Sequence, residues 1–285
     1  MAGIGLNGFR LTNRMIADLP KRSSMLNDTT PVILTLNEES NIGRSLEGLR
    51  WAKRVVILDS VSSDKTKAIS ESFPNVKFIE RPFDSHAEQW NHAVFETGIE
   101  TPWILALDAD YMVGDKLMAE IETLDPADGI SCFFARFAFA IHGRVLPGSL
   151  YPSIAVLFRR DRCRYVQDGH TQRLSFPGRS DWLHTPIVLD DRKSVMHWIS
   201  SQSRYARLEA EKLLSTPRAE LPSSDRIRLL RVVAPFVVLG YTALVKRCLF
   251  AGRAGLFYMV QRVCFECMLS LCLLEHDLTH PAAKT

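Results

Sequence analysis

The chain has 285 residues, enough to bury a full core as one large domain or as one domain with an appendage. Apolar residues make up 46% and charged residues 24%, the proportions of a globular protein rather than a disordered or fibrous one. A net charge of +3 gives no argument for nucleic acid as a partner.

In chain order, the first stretch is MAGIGLNGFRLTNRMIADLPKRSS. Asn, Arg, Asp and Lys interrupt its apolar residues, so it lacks the unbroken core of a signal peptide. It reads as a loose extension over 1–30, with Met15 and Met25 as alternative starts. From Pro31 a regular alternation begins. PVILTL is a strand, and a helix runs from Ser40 to about Leu49. RVVILDS is a second strand, and SDKTKAISESF a second helix opened by a capping Ser-Asp. VKFIERP is a third strand, SHAEQWNHAVFETG a third helix stopped by Gly98, and PWILALDAD a fourth strand. This rhythm predicts an α/β fold with a mostly parallel, Rossmann-like sheet covered by helices on both faces.

Between about Asp128 and Leu189, apolar runs such as SCFFARFAFAI are joined by Gly- and Pro-containing turns, which predicts antiparallel or mixed strands. A helix returns at MHWISSQSRYARLEAEKLL, and Pro217 and Pro222 then break the chain at the best candidate boundary. Domain limits follow: a catalytic unit over 31–215, halved at 125/126, and a helical region over 216–285. In the last region, 232–245 is uncharged but shorter than the ~20 residues needed to span a bilayer. The next apolar run is interrupted by Arg253, Arg262 and Glu266. Arg226, Arg228, Arg231, Lys246, Arg247 and Arg253 flank these runs. The pattern predicts a helical hairpin lying at a membrane interface, its basic residues facing anionic headgroups. The alternative is a helical subdomain packed on the core or across a dimer interface. The six cysteines show no disulfide-framework spacing, which points to reduced thiols; Cys264 and Cys267 fall in an apolar helical run and read as core thiols, not zinc ligands.

Three strands end in acids. Glu38 follows the first, Asp59 ends the second with Asp64 close behind, and Asp108 and Asp110 end the fourth. In an open parallel sheet, ligands bind beyond the carboxyl ends of the strands. Acids gathered there without counter-charge are tolerable when a divalent cation completes the site. Residues i and i+2 of an extended strand point the same way, so Asp108 and Asp110 can share one ion. No GxGxxG or GxxxxGK[ST] cradle follows the first strand, and no HExxH or nucleophile elbow is present. Dehydrogenases, P-loop enzymes and zinc proteases are thereby disfavoured.

PVILTLNEESNI, VVILDSVSSDKT and WILALDADY resemble, in order and spacing, the nucleotide-sugar signatures of family 2 inverting glycosyltransferases with the GT-A fold. The match covers about 31–125. YVQDGHTQRL, DDRKSVMHWISSQSRYARLEA and AGRAGLFYMVQR are similar to a bacterial branch that includes lipopolysaccharide-core glucosyltransferases, which act at the cytoplasmic face of the inner membrane. The resemblance implies that Glu38 and Asp59 contact the uracil or ribose of a UDP-sugar and that Asp64 shapes the nucleotide pocket. It implies that Asp108 and Asp110 are a DxD pair for Mg²⁺ or Mn²⁺, with Asp110 the direct ligand. The acceptor it implies is a lipid-linked glycan. A general base is also required, for which Asp191 and Asp168 stand level and Asp190 behind. Where the branch often has a His before the DDRK pair, this chain has Leu189, which leaves His170 or His197 as substitutes. Gln89 and Asn91 are candidates to touch the donor, and Arg192 and Lys193 to neutralise phosphate. Two other functions compete: a nucleotidyltransferase, for which the only early basic residue is Arg44, and a non-catalytic nucleotide-sugar or membrane-binding scaffold. Metal-dependent release of UDP from a UDP-sugar separates an enzyme from the scaffold.

Overall fold

A computed structural model describes residues 24–168 and 171–280. The side chains of Asp168 and Thr171 lie outside the description, as do Gly169 and His170 in full. Strands β1 (Thr29–Thr35), β2 (Val55–Asp59), β3 (Val76–Glu80) and β4 (Trp103–Asp108) alternate with α1 (Ile42–Glu47), α2 (Thr66–Glu71) and α3 (His86–Phe95). A short β5 (Tyr111–Met112), α4 (Asp115–Thr123) and β6 (Ile130–Ala135) follow. The middle of the chain forms β7 (Phe137–Ile141), β8 (Arg144–Val145), β9 (Ile154–Arg159), β10 (Arg164–Asp168), β11 (Thr171–Ser175), β12 (Arg179–Trp182) and β13 (Ile187–Leu189). Four helices close it: α5 (Val195–Ser215), α6 (Ser223–Arg228), α7 (Ala234–Gly240) and α8 (Gly252–Thr279).

The main sheet has the order β12-β6-β9-β4-β1-β2-β3. Only β9 runs antiparallel to its neighbours. The α/β class with a mostly parallel sheet is therefore present as expected. The apolar runs are continuous because both faces are covered. Ile33 faces Ile42 and Leu46 of α1, whereas Val32 faces Trp90 and Ala93 of α3. Strand order reverses at β1, which has β2 on one side and β4 on the other. That reversal opens a crevice at the carboxyl ends of β1 and β4, where Leu34 pairs with Asp108.

A second sheet, β5-β13-β7-β8, stands beside the crevice. Its β7–β8 turn holds His142 and Gly143 at φ 49° and 81°, the left-handed pair that a two-residue hairpin turn demands and that glycine adopts freely. The β10–β11 hairpin packs on α3, with Tyr165 stacked on Trp90 and Asn91 bonded to both backbone groups of Tyr165.

Two boundaries differ from those drawn on the sequence. The packed unit includes residues before Pro31, since Met25 is buried in the core and Thr29 Oγ1 donates to its carbonyl; residues 1–23 of the 1–30 extension lie outside the described residues. The helical region starts at α5, because Ala206, Ala210 and Leu213 pack on Phe265, Leu269 and Leu273 of α8. A second cluster joins Tyr258 and Met259 of α8 to Leu146, fixing the helices to the second sheet. Arg228 lies between them, paired with Glu266, Glu209 and Asp225. The cysteines form no disulfide, and Cys267 points outward rather than into the core.

The packing of α8 requires Gly255. A Cβ there would sit 1.9 Å from the carbonyl oxygen of Cys248. Gly255→Ala is expected to cost about 1–3 kcal/mol through displacement of α8. Urea denaturation checks this, and an unchanged midpoint would contradict the close approach.

Candidate active site

The two aspartates after β4 are not both on a strand. β4 ends at Asp108, Ala109 and Asp110 form a turn, and Tyr111 opens β5. The turn exists because Tyr111 and Met112 leave the main sheet to pair with β13. In that antiparallel pair Leu189 lies opposite Tyr111. The next residue of one strand therefore meets the preceding residue of the other, and Asp190 N–H donates to the Asp110 carbonyl at 3.1 Å. One short pairing thus carries the acids of Asp190-Asp191 to those of the DAD turn.

Asp190 and Asp191 have opposite surroundings. Asp190 is 3% exposed. Its Oδ2 accepts from Arg44 at 3.1 Å and from Arg192 Nε at 2.8 Å, and its Oδ1 from Gly143 N–H at 3.2 Å. Burial pushes its carboxyl up, but these hydrogen bonds and the charges of Arg192 and Arg44 hold it below the usual range. Such a group anchors loops and is a weak base, with both oxygens engaged and its carboxyl held low. Asp191 is half-buried. Its Oδ1 accepts from Asn41 Nδ2 at 2.8 Å and from Lys193 N–H at 3.0 Å. Its Oδ2 takes no hydrogen bond among the described residues.

Asn41 joins the two halves. Its side chain is fully buried, and every polar position is used. Nδ2 donates to Asp191 Oδ1 and to Glu38 Oε2 at 2.9 Å. Oδ1 accepts from Arg44 at 2.8 Å and from Arg192 N–H at 2.9 Å. Glu38 is further bound by Lys193 Nζ at 2.5 Å. Arg192 thus balances Asp190, while Lys193 reaches back to Glu38.

The other candidates are placed as follows. Asp59 is buried, with its oxygens taken by Thr35 Oγ1, Ser62 N–H and Ser62 Oγ. Asp64 accepts from Glu39 N–H and Thr66 N–H, which ties the loop after β1 to the start of α2. Gln89 is corrected as a donor contact: it is 1% exposed, and its amide is spent on Ser60, the Arg81 carbonyl and the Arg81 guanidinium. Asn91 is likewise spent on Tyr165. His197 is exposed on the first turn of α5. Asp168 ends β10, and its side chain lies outside the described residues, as does His170.

Asp110 and Asp191 line one cavity of about 550 Å³, with Phe139, Tyr151 and Trp198 among its walls and Tyr258 and Arg262 contributed by α8. Burial, then repulsion from Asp108, Asp191 and Glu38, pushes the Asp110 carboxyl well above the usual range, with Lys193 the opposing charge. Asp108 is raised too, mainly by desolvation in the cleft. Among the described residues no group of three His, Cys, Asp or Glu side chains is arranged to hold a metal by itself. The donor chemistry fits an ion bound by one or two carboxylates plus phosphate oxygens, the mode Mg²⁺ favours.

The family profile for "Glycosyl transferase family 2" matches residues 31–138. The chain is 33% identical over 196 residues to the lipopolysaccharide core biosynthesis glycosyltransferase LpsC of Rhizobium meliloti (strain 1021), covering 63% of this chain and 69% of that protein. The chain belongs to glycosyl transferase family 2. An uncharacterized glycosyltransferase of Rickettsia bellii (strain RML369-C) is 36% identical over 91 residues, 32% of this chain and 30% of that protein. Among solved structures, S. aureus TarS 1-349 in complex with UDP-GlcNAc is similar at TM-score 0.43 and 13% identity, covering 88% of this chain and 92% of that one. Glucosyl-3-phosphoglycerate synthase from Mycobacterium tuberculosis, in complex with Mn²⁺, UDP and phosphoglyceric acid, is similar at TM-score 0.39 and 13% identity over 62% of this chain and 76% of that one.

Sequence reasoning missed the hub of this family 2 glycosyltransferase. Asn41 follows NEES directly and precedes α1, the position where an Asn is expected to cap a helix, yet its side chain makes no cap bond. Asn41→Ala leaves the Arg192 N–H without its acceptor and takes one donor each from Asp191 Oδ1 and Glu38 Oε2, with an expected cost of about 1–3 kcal/mol. Asn41→Asp, nearly isosteric, adds a carboxylate between Glu38 and Asp191 and is expected to cost at least as much. Chemical denaturation reads both, and wild-type midpoints for the two variants would contradict the cross-link.

Proposed function

We propose that the protein is an inverting glycosyltransferase that moves a hexose from a UDP-sugar to a lipid-linked or lipopolysaccharide-core acceptor. The observation that carries the mechanism is the divided carboxylate of Asp191. Two N–H donors fix Oδ1, Oδ2 takes no hydrogen bond among the described residues, and Asp191 lines the cavity that also holds Asp110. A general base needs that geometry: an oriented carboxylate with one basic lone pair facing substrate. Asp191 Oδ2 takes the proton of the acceptor hydroxyl as its oxygen bonds to the anomeric carbon. The bond from that carbon to the diphosphate oxygen breaks, and UDP leaves. Asp190 suits this role less, because Arg44, Arg192 and the Gly143 N–H hold its carboxylate, and Asp168 remains the other candidate.

Asp110 and Asp108 would hold Mg²⁺ or Mn²⁺, which when bound supplies positive charge to the departing diphosphate. The uridine would lie over the loops after β1 and β2. There Asp59 and Asp64 act by holding those loops, through Ser62 and Thr66, rather than as bare contacts. The UDP-sugar and the glycan acceptor are supported by the sequence resemblance and by the relative in lipopolysaccharide core synthesis.

A peripheral site on the inner face of the cell membrane is supported by the C-terminal surface. Large apolar side chains stand in water on α7, the turns after it and the first half of α8, with Phe236 74% and Phe250 78% exposed. Arg247 and Arg253 make no ion pair among the described residues and suit anionic headgroups. Arg226, Arg228 and Arg231 do not: they are spent on backbone carbonyls, on Glu266 and on Asp277. By length and composition α8 is apolar enough to cross a bilayer, but its inner face is packed on α5 and the second sheet, which suits a helix lying at the interface.

Three measurements test these assignments. Asp110→Ala is expected to abolish Mn²⁺-dependent release of UDP while the melting temperature stays within a few degrees. Asp191→Asn is expected to lower kcat by about 10²–10⁴ with little change in UDP-sugar affinity, whereas Asp168→Asn leaves kcat near wild type. The reverse pattern would transfer the base to Asp168. In flotation with phosphatidylglycerol-containing vesicles, wild-type protein rises and Phe236→Glu/Phe250→Glu stays below; equal behaviour of the two would refute membrane docking.

A further inference from the structure

We propose that Arg262 binds an anionic group, phosphoryl or carboxyl, carried by the acceptor on a part distant from the attacked hydroxyl. This rests on the glycosyl-transfer reading above and assigns a chemical class to its acceptor. Three lysine or arginine side chains are among the residues lining the 550 Å³ cavity: Arg192, Lys193 and Arg262. Arg192 is neutralised by Asp190 and Lys193 by Glu38. Arg262 has no ion pair or hydrogen bond among the described residues, and its Nε is buried without a partner. Its nearest helical carboxylate, Glu266, is taken up on both oxygens by Arg228. The ring of Phe265 supports the guanidinium, 5.3 Å away, but offers it no acceptor.

A guanidinium left in this state is costly unless something on the cavity side accepts from it. Its planar fork suits two oxygens of a phosphoryl or carboxyl group. Position decides which substrate would bring that group. Glu38, Asp59 and Asp64, over which the uridine would lie, are absent from the cavity wall. The cavity therefore opens away from the nucleotide, with Asp110 and Asp191 of the reacting centre and Tyr258 and Arg262 of α8 all contributing to its wall. The walls between are aromatic, with Tyr151, Trp198 and Tyr258 able to cover the apolar faces of sugar rings. Tyr258 is fixed by accepting the Leu150 N–H at 2.7 Å. Aromatic walls that end in an unpartnered arginine describe a saccharide bearing an acidic substituent.

Isothermal titration separates the possible sources of the anion. UDP with Mg²⁺ is titrated first, then inorganic phosphate into the UDP–Mg²⁺-loaded protein, for wild type, Arg262→Ala, Arg262→Gln and Arg262→Lys. The expected result is UDP affinity within twofold in all four. Phosphate affinity is expected to be at least tenfold weaker in Arg262→Ala and Arg262→Gln and intermediate in Arg262→Lys. A tenfold loss of UDP affinity in Arg262→Gln would give the arginine to the donor diphosphate and overturn the acceptor assignment. Equal phosphate binding in wild type and Arg262→Gln, or none in wild type, would also overturn it. Failure of wild type to bind UDP would instead strike the glycosyl-transfer reading. If Arg262→Ala does not fold, Arg262→Gln and Arg262→Lys carry the same comparison.

Discussion

The site depends on one buried amide. Asn41 spends two donors and two acceptor positions on four groups from two distant parts of the chain, and no water is needed to complete it. Glu38 and Asp191 would repel each other across this space. The neutral amide between them donates to both carboxylates, and Lys193 offsets part of their negative charge. A charged residue at position 41 would upset that balance, and an apolar one would leave polar groups unpaired. The start of α1 and the loop leading into α5 are thereby tied together.

The neighbouring contact between β5 and β13 is only two residues on one side, yet it sets the register of the acids. It explains why Asp190 and Asp191, adjacent in sequence, have different roles. Asp190 turns toward Arg44, Arg192 and the β7–β8 turn, which ties the second sheet to α1. Asp191 faces the cavity. A one-residue slip would exchange them.

Much of the first half was legible in the sequence because its signals are local. VVIL and WILAL are continuous apolar runs at strand length, and Ser85 caps α3 by accepting from the Glu88 N–H. The cluster of acids at strand ends followed from the same rhythm. What could not be read was long-range. Nothing in YM or IVL says that these short segments pair, and that pairing moves Asp110 off the strand into a turn. Asn41 was hidden because a local capping role suits the same letter. Gln89 reads equally well as an exposed helix residue, and only tertiary packing shows that Arg81 and Ser60 consume it. In the C-terminal region, the apolar runs were legible as helices. That α5 belongs with them depends on Ala206 and Ala210, small residues whose meaning appears only when α8 lies against them. The same helices, on the proposed function, serve two surfaces: an outer one for lipid and an inner one that walls the acceptor cavity.

A double-mutant cycle between Asn41 and Asp191, read on kcat, tests the central claim most directly. If Asn41 acts by orienting the Asp191 carboxylate, Asn41→Ala lowers kcat in wild type but changes it little once Asp191→Asn is present, with a coupling energy of about 1–3 kcal/mol. Additive losses in the double variant would contradict it, since they would mean that the two residues serve the reaction separately.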